Sequence, residues 1–184
     1  MALTNGLVVM KPSSVAKTGA SSTATINADG SVTFGSCESL SLNGVFSSDY
    51  DNYMIQMRAV SSGGVTISAR MRSAGTDASV ANYARQRIGA DATTVSAARS
   101  TGTEFDLLLS SNVQRVGMGI YVFGPYLSQP TAHRVVGISD SSSARIFEFA
   151  GTHSLSNSYD GISFISFASG VSLTGLVTVF GFNQ

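Results

Sequence analysis

Glu104 and Asp106 stand two residues apart. On a strand that spacing puts both carboxylates on one face, where a carboxylate pair can cleave a glycosidic bond as acid and nucleophile or base. Two acids so placed also serve simply as partners for neighbouring arginines. Asp49, Asp51 and Asn52, with Asp160, offer the hard oxygens that calcium takes. The loop lacks the glycine and the distant glutamate of an EF-hand, and Asx-type turn bonding ahead of a strand accounts for these residues more simply. His133 and His153 have no histidine or cysteine close by in sequence, whereas zinc needs three or four converging ligands. They read as solvent-facing or interfacial. The many serines have no G-x-S-x-G elbow, and there is no G-x-x-x-x-G-K-[ST] phosphate loop. A serine nucleophile would also need a positioned base. No catalytic, cofactor-binding or metal-binding residue is assigned, no cofactor is expected, and the chain does not read as an enzyme.

The arginines carry the remaining polar chemistry. Arg70 and Arg72 share the outward face of one predicted strand, and Arg85 and Arg87 do the same on another. Each like-charged pair either faces water or meets acids of a neighbouring subunit, with Glu104, Asp106 and Glu148 as the candidates. Phe147, Phe149, Phe164, Phe167, Phe180 and Phe182 read as core or interface packing.

What must position these residues is a set of strands. Val65-Thr66-Ile67-Ser68-Ala69-Arg70-Met71-Arg72 alternates apolar and polar over its whole length, the pattern of a sheet with one buried face. Strands are predicted over 31–34, 39–42, 53–60, 65–72, 83–88, 104–109, 116–123, 133–138, 144–149, 162–167 and 173–182. Turn chemistry separates them at Ala28-Asp29-Gly30, Ser61-Ser62-Gly63-Gly64, Ala74-Gly75-Thr76-Asp77, Ser100-Thr101-Gly102, Ser110-Ser111-Asn112 and Asp140-Ser141-Ser142-Ser143. The stretch from Val60 to Val65 reads as a hairpin. Residues 78–98 are ambiguous: the alanines favour a helix, while Val80, Tyr83, Ile88 and Val95 favour strand. Asp49-Tyr50-Asp51-Asn52-Tyr53 and Ser158-Tyr159-Asp160-Gly161 echo one another, as two similar corners of a two-sheet fold would.

Residues 1–30 read as an extended N-terminal arm that pairs with another subunit. Leu7-Val8-Val9-Met10 is its one short strand, and Pro12 then removes a ladder donor. Residues 31–184 form the domain, an all-β jelly-roll-like two-sheet sandwich.

Composition narrows the partners. Of 184 residues 43% are hydrophobic and only 12% charged, and eleven basic residues balance eleven acidic ones. Soluble domains average about 25% charged. Weakly charged outer faces and zero net charge favour association, and they argue against a nucleic-acid or anionic-membrane partner. Cys37 is the only cysteine, so no disulfide framework forms within one chain. No signal peptide and no transmembrane stretch is visible, so the expected folding compartment is a cytosol.

The segment Ser39-Leu40-Ser41-Leu42-Asn43-Gly44-Val45-Phe46-Ser47-Ser48-Asp49-Tyr50-Asp51-Asn52-Tyr53 resembles one common in tailed-bacteriophage structural proteins. There it ends a Gly/Ser/Thr-rich stretch and precedes paired strands, a turn like Gly75-Thr76-Asp77 and a strand like Asn82-Tyr83. Gly175-Leu176-Val177-Thr178-Val179-Phe180-Gly181 is similar to the closing strand of such proteins. The resemblance implies a small all-β virion component, commonly a trimer, on the head as a decoration (cement) protein or in a tail fibre. The resulting expectation is a homo-oligomer in the virion, assembled in the host cytoplasm, that stabilises the head by binding between major capsid protein subunits. The alternative is a tail-fibre or receptor-binding tip that recognises surface carbohydrate, which the lack of tryptophan disfavours.

Overall fold

The structure, a computed structural model, describes residues 6–109, 115–140, 145–166 and 168–183. The predicted turn at 110–112, most of the turn at 140–143, the first residue of the strand at 144–149 and Phe167 lie outside the described residues. Strands in chain order are β1 (Val8–Val9), β2 (Ser14–Thr18), β3 (Thr23–Ile26), β4 (Val32–Cys37), β5 (Ser39–Asn43), β6 (Asn52–Ser61), β7 (Thr66–Ser73) and β8 (Thr76–Asp77). They continue as β9 (Tyr83–Asp91), β10 (Thr94–Gly102), β11 (Phe105–Leu109), β12 (Arg115–Phe123), β13 (Thr131–Asp140), β14 (Arg145–His153), β15 (Gly161–Ser166) and β16 (Leu173–Phe182). Among the described residues there is no helix.

The strands form two antiparallel sheets packed as a sandwich. The larger runs β10-β9-β14-β13-β12-β6-β16-β4-β3, with β1 also on β16; the smaller runs β11-β7-β15-β5-β2, with β8 on β7. Eight of them nest as a rolled hairpin: β4 pairs β16, β5 pairs β15, β6 pairs β12 and β7 pairs β11. Along the chain these eight alternate between the sheets except at the middle, where β7 and β11 are neighbours in the smaller one, which is jelly-roll topology. Strands β13, β14, β9 and β10 extend the larger sheet beyond β12. Val65, Ile67, Ala69 and Met71 point into the core from β7 and its lead-in, as the alternation predicts. They meet Ile55, Met57, Ile120 and Val179 of the opposite sheet within one apolar core.

Two expectations change and one open reading closes. The segment from Val60 to Val65 is not a hairpin, because β6 and β7 lie in different sheets and the loop at 62–65 crosses between them. Alternation reports a buried face but not the strand's partner. Residues 78–98 form no helix: most of them belong to the β9–β10 hairpin, whose tip is Ala92 with φ of +50°. Residues 8–26 are not a free arm. β1 pairs β16, β2 pairs β5 and β3 pairs β4, so the segment closes edges of its own sandwich. Met10, Val15 and Ile26 pack against the core. Pro12 only separates β1 from β2.

Candidate functional site

The two Asp/Tyr corners lie together. The amide of Gly124 donates to the Asp51 carbonyl and that of Tyr159 to the Pro125 carbonyl, both at 2.8 Å, so one loop ties the two. Two of their carboxylates accept hydrogen bonds from turn residues. Asp49 accepts from the Ser47 hydroxyl at 3.2 Å, and Asp160 accepts from the Ala74 amide at 3.3 Å. Among the described residues no group of three or more His, Cys, Asp or Glu is placed to hold a metal ion.

Glu104 and Asp106 are held by arginines of the same chain. Arg70 Nη2 donates to Glu104 at 3.3 Å, while Arg85 Nη1 lies 3.5 Å from Glu104 and 2.8 Å from Asp106. β11 is an edge of the smaller sheet, and the larger sheet overhangs it. Arg85, on the inner face of β9, therefore reaches the edge carboxylates. Burial pushes the Asp106 carboxyl up, against the pull of Arg85 and of the Ser68 hydroxyl. Of the acids anticipated as partners across a subunit boundary, Glu104 and Asp106 meet Arg70 and Arg85 within one chain, whereas Glu148 pairs with Arg134.

Arg72, read as an outward surface residue, is 8% exposed. Ala74 and Gly75 both have positive φ and make the tight loop that sets Asp77 directly opposite Arg72. The guanidinium pairs with Asp77, donates to the Gly75 carbonyl, and also reaches Asn43, Ser41 and Ser163 at 3.0, 3.1 and 2.8 Å. It lies across small serines on the outer face of the smaller sheet, so its own stem and the β8 turn shield it.

Both histidines are buried, not solvent-facing. His133 is 3% exposed and His153 0%. His133 stacks on Phe105 at 4.2 Å, and His153 packs on Tyr83 at 4.1 Å and accepts or donates at 3.1 Å with the Tyr159 hydroxyl. Among the described residues neither ring nitrogen of His133, nor Nε2 of His153, has a hydrogen-bond partner. Burial, with His153 nearby, holds the His133 pKa down to about 3, and burial lowers that of His153. Gly151 makes room for the pair, because a Cβ there would meet the Ala84 carbonyl at 1.9 Å and the His133 ring at 2.9 Å. The sequence carried a signal for this. His153 has the same strand parity as Phe147 and Phe149, and His133 that of Val135, all of them inward.

The exposed feature of most consequence is the outer face of the larger sheet. Its register aligns Gly117, Ile138, Ile146, Ala90 and Val95 in one row across β12, β13, β14, β9 and β10. The next row is Gly119, Val136, Glu148, Ile88 and Ala97. Ile88, Val95, Ile138 and Ile146 are 56%, 73%, 58% and 56% exposed. Gly117 and Gly119 floor a shallow trough of about 470 Å³ walled by Gln56, Arg58, Val136 and Ile138. Within those rows the one acid, Glu148, is paired at 2.7 Å with Arg134 of the following row. Apolar side chains are thus laid contiguously across these strands, bordered by Arg58, Arg99 and Arg134. No protein-family model matches the chain, and no curated protein matches it.

Proposed function

We propose that this chain is a non-enzymatic structural component of a phage virion, a capsid decoration (cement) protein that seats on the shell between major capsid protein subunits. The contiguous apolar rows on the outer face of the larger sheet carry the reading. A surface of this kind gains stability when another protein covers it, at about 25 cal/mol per Å² of apolar area. The jelly-roll sandwich and the phage-like segment at 39–53 agree with the assignment. The acids that the sequence singles out take part in structural bonding: Glu104 and Asp106 with Arg70 and Arg85, Asp49 with the Ser47 hydroxyl, and one oxygen of Asp160 with the Ala74 amide.

The test is to purify virions of the phage that encodes the chain, quantify it by mass spectrometry and locate it by cryo-electron microscopy. High copy number spread over the head supports the proposal. A few copies confined to the tail would overturn it in favour of a receptor-binding tip. A second measurement is binding of the purified protein to particles that lack it, in which Ile138→Lys and Ile146→Lys should each weaken attachment while leaving the fold intact.

A further inference from the structure

We infer that β10 is the contact between two copies of this chain, pairing antiparallel with β10 of the second copy about a two-fold axis through Ala98. The inference rests on the structural reading above and names a surface that the reading leaves open.

An edge strand presents unpaired N–H and C=O groups, and proteins that remain monomeric blunt their edges with short strands, lysines, prolines or bulges. The other edges of this sandwich are blunted. β3 has four residues. β2 carries Lys17. β11 has a register shift between Asp106 and Leu108 and is flanked by the Arg85 ion pairs. β10 is nine residues long, pairs β9 without a register shift, and contains neither proline nor lysine. Its residues from Thr94 to Thr101 are exposed on both faces, because it overhangs the smaller sheet.

What completes such an edge is a strand, and β10 suits its own copy. Pairing about Ala98 sets Ala97 against Arg99 of the second copy, Val95 against Thr101, and Ser96 against Ser100. Arg99, the one charge in β10, faces Ala97 and lies diagonal to its own copy, and hydroxyl or small side chains meet across the rest of the junction. An antiparallel junction needs an axis normal to the sheet. Both outer faces then look the same way, so the apolar rows of the two copies face one underlying shell. The contact joins copies in twos and departs from the trimer that the phage resemblance implies.

The register makes the test specific. Ala98→Cys should form a disulfide-linked dimer under mild oxidation, since directly opposed residues have Cβ atoms about 5 Å apart. Thr94→Cys should not, because its two copies would lie about 26 Å apart along the strands. The native Cys37 is buried. Ala97→Lys places like charges opposite Arg99 and should weaken dimerisation roughly tenfold in sedimentation equilibrium, whereas Ala97→Glu should tighten it. A monomer at micromolar concentration, a trimer in which the Ala98→Cys variant does not cross-link, or weakening by both Ala97 variants would each overturn the inference. Virions that carry the Ala98→Cys variant on the head without a disulfide between copies would refute the pairing and leave the functional proposal standing. Disulfide-linked dimers of that variant, in a protein not found on the head, would do the reverse.

Discussion

Lowering the pH from 7 to 5 should destabilise the fold through His133. The unfolded chain holds this imidazole at its ordinary pKa of about 6.5, and in the folded chain burial takes it down to about 3. Between these values the unfolded state binds a proton that the native state does not, so stability falls as the pH falls. Integrated from pH 7 to pH 5, the difference is about 2 kcal/mol for His133 alone, a sizeable share of a typical stability of roughly 5–15 kcal/mol. His153, also lowered by burial, adds to it with the same sign. Among the described residues no carboxylate bonds either ring to offset the charge. The groups around the pair are Tyr83, Phe105 and Tyr159. Asp106, raised by burial, acts with the opposite sign, from the ordinary carboxylate value upward. The assay is urea unfolding at pH 7, 6 and 5 followed by far-ultraviolet circular dichroism, since the chain has no tryptophan. With a slope of about 2–3 kcal/mol per molar urea, the midpoint should drop by about 0.7–1 M from His133 and further from His153. His133→Leu should remove the His133 share of the pH dependence whatever it does to stability at pH 7. A midpoint that stays constant from pH 7 to 5, or a His133→Leu variant that keeps the full dependence, would refute the argument.

Arg72→Ser should cost about 3 kcal/mol, because it leaves Asp77 and the buried hydroxyl of Ser163 without their cation; urea titration measures it. Met71→Asp should abolish soluble expression or unfold the chain, since Met71 is fully buried and an unpaired carboxylate there costs several kcal/mol. Deleting residues 2–27 should not leave an intact sandwich. Loss of Met10, Val15 and Ile26 from the core at about 1 kcal/mol each should lower the melting temperature by about 6–12 °C, and the uncovered β4 and β5 edges should promote aggregation. An unchanged melting curve for the truncated protein would show that β1–β3 contribute no stability.

Strand identity and facing were legible in the sequence, because the two-residue period is a local property. The alternation from Val65 to Arg72 marked Val65, Ile67, Ala69 and Met71 as inward, and β16 was read with its observed ends. The all-β sandwich follows from such segments and the turn residues between them. Partnering was not legible. Nothing local says that β6 and β7 belong to different sheets, or that β9 lies between β14 and β10, because a strand's neighbours are chosen by chain topology. That choice decided the rest. It folded the expected arm onto β4, β5 and β16, and it set Asp77 against Arg72 and thereby buried a cation that parity had sent to solvent. It carried Arg85 over the edge of the smaller sheet to Asp106. It also aligned Gly117, Ile138, Ile146, Ala90 and Val95, drawn from five separate strands, into one exposed apolar row that no window of the sequence contains.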